Sequence, residues 1–202
     1  MVKGDIRRKV EDVKPKTWMD IENICIMISN DRDACLIALL YLSGRRIGEV
    51  LHLQKQDFKI EPNRISFETF NEKTFRKKRV GNYAIMRKGV FYEKINPHWR
   101  TDTESGKALT IFVLNRLGYL SQKDYVFQKL VGTGHIEYGM GYRIVRFYAP
   151  DMWPHLFRHE RFTEVFKIYK DDLLKAHDWT FHKRFDSNIP YIRSVEKEEE
   201  KI

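Results

Sequence analysis

The segment from Asp31 to Gly44 limits the possible folds of this chain more than any other. Ala34 to Leu42 is apolar nearly all round, so a helix there has no face to offer water and belongs in a core. The run is too short to cross a bilayer. Ser43-Gly44 breaks it. Ahead of it, Thr17 reads as an N-cap with Asp20 as the acidic partner of a capping box. Trp18, Ile21, Ile24, Cys25 and Ile28 then recur at helical spacing. A short third helix begins near Arg45 and carries Ile47, Val50 and Leu51 on its apolar side.

Residues 57–87 change period. Arg64 to Phe70 alternates, and Arg79 to Met86 does so less cleanly, with the turn-like cluster Asn71-Glu72-Lys73 between them. A two- or three-stranded antiparallel sheet is expected. After Pro97 the pattern is mostly helical again. Ser105 to Leu117 should turn Leu109, Phe112, Val113 and Leu117 inward. A short extended piece, Tyr125 to Phe127, precedes a glycine-rich loop at Gly132 and Gly134. Helices are expected near 138–148, 152–169 and 170–177. Residues 1–16 read as a charged arm, 17–194 as one domain, and 195–202 as a charged, solvated tail. The fold class is α+β, mainly α-helical, with a small antiparallel sheet.

The 202 residues carry 37 Lys and Arg against 28 Asp and Glu, a formal charge of +9. That balance favours an anionic partner, of which nucleic acid is the commonest. The two cysteines, Cys25 and Cys35, sit in apolar stretches and read as buried thiols in a reducing cytosol. The N-terminus lacks the apolar region of a signal peptide, so a cytoplasmic, non-membrane protein is expected.

Two clusters carry chemistry. Arg46 follows the break at Gly44, and Glu49 lies one helical turn on, placed to hold the guanidinium. Arg45 is the alternative functional arginine, and a surface ion pair is the competing reading. Further on, His155, Arg158 and His159 fall on one helical face and offer two imidazoles and a guanidinium. That set suits an oxyanion with proton transfer. A zinc site has only these two histidines and no catalytic glutamate between them, so no metal is expected. His159 reads as a structural histidine satisfied in the core.

In this setting the run Gly44, Arg46, Glu49, Leu53 and Asp57 resembles the first box of the tyrosine recombinases, the phage-integrase family, which reads T-G-x-R-x-x-E-x-x-x-L-x-x-x-D. His155-Leu-Phe-Arg158-His159 resembles the second box, H-x-L-R-H, with Phe157 for leucine. The likeness spans about residues 15 to 195, the helical catalytic domain of that family with its small antiparallel sheet. It implies a catalytic lysine between the boxes. Lys73 is favoured and Lys77 is the reserve, with Lys77, Lys78 and Arg79 as DNA-phosphate contacts alongside Arg45. It also implies a His or Trp nine residues before a nucleophilic tyrosine. His177 lies in Leu173-Leu-Lys-Ala-His177 and Trp179 is the second candidate, yet nine residues on from these stand Asp186 and Asn188. Tyr191 is the only tyrosine further along, so an insertion before it, or a differently placed tyrosine helix, is expected.

The resemblance implies a site-specific recombinase or integrase of a mobile element, virus or plasmid, acting on double-stranded DNA. Arg46 and Arg158 would bind the scissile phosphate, Tyr191 would form a covalent 3′-phosphotyrosine, and Lys73 would protonate the leaving 5′-oxygen. His155 would assist at the tyrosine, and His177 or Trp179 would hydrogen-bond the phosphate. No cofactor, metal or ATP is implied. The expected assembly is a homotetramer on DNA from a monomer or weak oligomer. About 16 residues precede the domain, where most members carry a second DNA clamp; the sequence is read either as a catalytic domain by itself or as a minimal protein that binds DNA with one half, and weaker, less selective DNA binding is expected. A catalytically silent DNA-binding protein of the same fold and a type IB topoisomerase-like enzyme are the alternatives.

Overall fold

The computed structural model describes residues 16–75, 83–87, 90–182 and 184–199. The N-terminal arm through residue 15 and the reserve lysine Lys77, with Lys78 and Arg79, lie outside the described residues. So does the last part of the charged tail, 200–202.

Helix α1, Trp18–Ile26, starts where the sequence announces it. Thr17 Oγ1 accepts from the Asp20 N–H at 3.4 Å, and Asp20 Oδ2 accepts from the Thr17 N–H at 2.8 Å, closing the capping box. Helix α2, Asp31–Ser43, is capped by Asn30, whose Oδ1 accepts from the Arg32 N–H at 2.9 Å. It is the buried helix that its composition demands: every residue from Arg32 to Ser43 is buried. It ends at Gly44 with φ +58°, where an added Cβ would stand 2.6 Å from the Phe162 ring. The chain then turns sharply into α3, Ile47–Val50.

Two small antiparallel sheets follow. One runs β1 (Phe58–Glu61), β2 (Arg64–Phe67), β6 (His98–Arg100); the other has the order β3 (Thr69–Phe75), β5 (Val90–Ile95), β4 (Tyr83–Arg87). The expected turn at Asn71-Glu72-Lys73 is instead part of β3. Register passes from Phe70↔Lys94 to Phe75↔Tyr92, so five steps along β3 face two along β5. Lys73 therefore lies in an irregularity within a strand, where the partner β5 supplies the ladder that local composition could not reveal. Strand β6 also follows Pro97, ahead of the first helix expected in this half of the chain.

The rest is helical: α4 (Glu104–Gly118), α5 (Tyr138–Tyr148), α6 (Pro154–Ile168), α7 (Leu173–Thr180) and α8 (Ile189–Glu199). Helix α2 packs against α1, α4 and α6 in the main core. Leu109, Val113 and Leu117 of α4 are buried there, and Phe112 is half-buried. A second cluster joins α6, α7 and α8 through Phe162, Val165, Phe166, Ala176, Trp179, Tyr191 and Val195. Because Val195 is buried in it, the solvated tail does not begin at residue 195 as expected; α8 continues to Glu199. Among the described residues, no helix is long and apolar enough to cross a membrane.

Candidate active site

The turn between α2 and α3, the middle of α6 and the start of α8 bring Arg45, Arg46, Arg158 and Tyr191 together. Arg46 is the residue before α3, and Glu49 clamps it from within that helix. One Glu49 oxygen accepts from the Arg46 guanidinium at 2.6 Å and the other from its backbone N–H at 3.1 Å. The Glu49 side chain is fully buried while the Arg46 side chain keeps 20% of its surface, so the charge is anchored inside and presented outside.

Arg158 is buried. Its Nη1 donates to the Gly44 carbonyl at 2.7 Å, its Nη2 donates to His182 Nε2 at 2.8 Å, and its guanidinium lies 4.2 Å from the Phe162 ring centroid. Burial, then the charge of Arg46, push its pKa down. Arg45 was expected to contact DNA from the surface. It is instead 2% exposed and ties the turn inward, donating to the Ser43 carbonyl at 3.1 Å and the Thr180 carbonyl at 3.0 Å. The tight turn at Gly44 throws neighbouring arginines to opposite sides, a geometry that adjacency in sequence conceals. Burial and the nearby Arg158 push the Arg45 pKa down as well.

Tyr191 packs against the rings of His159, Phe162, Phe166 and His182. Its hydroxyl engages Arg158 and feels the charges of Arg46 and Arg45. Burial raises its pKa, and those three arginines oppose the rise. Three guanidiniums thus bear on one phenol, and the Glu49 carboxylate acts on Arg45 and Arg158.

His182 is the residue that the sequence reading missed. It stands nine residues before Tyr191, the interval that the family resemblance calls for, and it bonds Arg158 directly. Counting back from Tyr191 would have found it, and no insertion is needed. The usual Gly-His signal is hidden because Phe181 holds the left-handed position at the end of α7, with φ +55°. The His177 ring reaches the site through Asn188, whose side chain meets His177 Nδ1 at 2.6 Å and His182 Nδ1 at 2.6 Å. Trp179 is buried against Phe162 and Arg161. His155 is exposed on the first turn of α6, one turn before Arg158. His159 is half-buried; its ring meets Tyr191 edge-on at 5.3 Å, and its Nδ1 lies 4.0 Å from a Glu160 oxygen. Lys73 is placed by its backbone alone, in β3. No group of three or more potential metal-ligating side chains occurs among the described residues.

The fold is that of the catalytic domain of the tyrosine recombinases, as solved structures of that class show. XerH site-specific recombinase bound to a palindromic difH substrate, in a post-cleavage complex, matches with a TM-score of 0.61 at 16% identity, over 91% of this chain and 50% of that one. XerA recombinase matches with a TM-score of 0.60 at 18% identity, over 90% and 61%. The integrase of the Tn1549 transposon, in complex with circular intermediate DNA, matches with a TM-score of 0.58 at 16% identity, over 94% and 62%. The chain therefore spans about half to three-fifths of those structures. No protein-family model and no curated protein matches it.

Proposed function

We propose that this protein cleaves and rejoins double-stranded DNA as a tyrosine recombinase or integrase of a mobile element. The observation that carries the reading is the convergence of Arg158, Arg46 and Arg45 on Tyr191 in a partly buried site. Burying like charges together is costly unless an anion completes the set, and a phosphodiester beside a phenol is such an anion.

In this reading Arg46 and Arg158 hold the two non-bridging oxygens of the scissile phosphate. The Tyr191 oxygen attacks phosphorus, a P–O bond to tyrosine forms, and the bond to the 5′-oxygen breaks. Lys73, or the reserve Lys77, gives its proton to that oxygen, and His155 assists proton removal from Tyr191. His182 takes the phosphate-side role first assigned to His177 or Trp179. The arginines keep the charge of the transition state inside a preformed site, and neither metal nor ATP enters the chemistry. The attacking tyrosine comes from the same chain as the arginines, and two such subunits per site pair into a tetramer on DNA.

Incubation with supercoiled plasmid in EDTA, followed by SDS, tests the reading. Relaxed plasmid with covalently attached protein, both lost in Tyr191→Phe, is the expected result. DNA binding with no adduct, on plasmid and on nicked duplexes alike, would favour a silent DNA-binding protein of this fold. Relaxation on any sequence by a monomer would favour a topoisomerase-like enzyme.

A further inference from the structure

Arg158 has no hydrogen-bond acceptor, so the nitrogen it meets on His182, Nε2 at 2.8 Å, must offer a lone pair. His182 is neutral above its pKa of about 4, lowered by burial despite Asn188 and then further by Arg158, Arg45 and Arg46. Its single proton is therefore on Nδ1, and that N–H needs an acceptor. Asn188 Oδ1 stands 2.6 Å away. The amide orientation is then fixed, so Asn188 Nδ2 donates to His177 Nδ1 at 2.6 Å, and His177 carries its proton on Nε2. Asn188 is fully buried, and its Oδ1 also lies 3.3 Å from the Thr180 hydroxyl.

We infer that Asn188 is a positioning residue, resting on the strand-cleavage reading: it locks His182 in the Nδ1–H form and presents the Nε2 lone pair to Arg158. The consequence is specific. In the resting site His182 accepts from the catalytic arginine and cannot donate to a phosphate oxygen. It becomes a donor only when Nε2 takes a proton from solvent water, as Arg158 turns from the imidazole to the phosphate. The groups facing His182 are Arg158 from α6, Arg45 and Arg46 from the α2–α3 turn with Glu49 behind them, and Tyr191 from α8. His177 communicates through the Asn188 amide.

Long-range proton–nitrogen NMR of the ¹⁵N-labelled full chain reads the lock without DNA. Wild-type His182 should show a protonated Nδ1 and a bare Nε2, and Asn188→Ala should lose that preference. Asn188→Asp keeps the acceptor oxygen and adds a charge, so it should raise the His182 pKa by at least about one unit. A wild-type His182 protonated at Nε2, or a titration that Asn188→Asp leaves unmoved, overturns the inference. If Asn188→Ala fails to fold, the Asp variant carries the test. In the plasmid assay, Asn188→Ala should bind DNA and form about tenfold less adduct, the size of one mispositioned hydrogen bond. A wild type that forms no adduct overturns the cleavage reading and the role of the lock in it, while the NMR result decides the lock itself.

Discussion

His182 lies nearly parallel to Tyr191, with ring planes 19° apart and centroids 6.1 Å apart, and both engage the same arginine, Arg158. Phe162 meets both rings edge-on, so one side of α6 sets the distance between a histidine and a tyrosine carried by separate elements. The arrangement makes Arg158 the hub of the site.

Arg158→Lys keeps a positive charge and loses the planar fork that spans Gly44 and His182. Adduct formation should fall by about a hundredfold, while plasmid binding at low salt stays near wild type. Single-turnover adduct kinetics beside a filter-binding assay separate the two effects. Equal losses in binding and adduct would show that Arg158 acts through the fold alone.

Glu49→Gln removes the carboxylate that holds Arg46. Breaking a buried pair from one side should cost about 3 kcal/mol, read as a lower midpoint in chemical denaturation. The same change leaves three guanidiniums without that counter-charge. Added inorganic phosphate should therefore restore more stability to the variant than it adds to wild type. Equal stabilisation of both proteins would contradict an anion site at these arginines.

Phe181 sits at φ +55° and stacks its ring 5.1 Å from the Arg45 guanidinium. Phe181→Gly relieves the backbone and loses the ring; Phe181→Ala loses the ring and keeps the strain. The glycine variant should be the more stable of the two by about 1 kcal/mol, measurable by urea denaturation. The reverse order would show that unfolded-chain entropy outweighs the left-handed strain here.

His182 has an ordinary pKa of 6.5 when unfolded and about 4 when folded. Below pH about 6.5 the unfolded chain binds a proton that the folded site refuses, so stability is lost as the pH falls from there toward about 4. His98 and His159 are lowered in the same direction by burial and add to the slope. Thermal melts should show a clear decline across this window, flattened but not abolished in His182→Gln. An unchanged slope in that variant would place the acid sensitivity elsewhere.

Local sequence determined what local physics governs. The unbroken apolar surface of Ala34 to Leu42 required a buried helix, and α2 is one. Thr17 with Asp20, and Gly44 at a left-handed helix end, fixed boundaries because caps and φ sign are properties of a few adjacent residues. The Arg46–Glu49 pair was legible because residues one turn apart must meet. Tertiary structure decided the rest. It buried Arg45 and left Arg46 partly exposed, two neighbours with the same charge, because a turn at Gly44 sends one toward Thr180 and the other toward Glu49. It drew Asn71 to Lys73 into a strand because β5 offered backbone partners distant in sequence. It also chose His182 over His177 and Trp179, since the contact with Arg158 joins α6 to the segment after α7, and Phe181 occupies the left-handed position where glycine would have marked the spot.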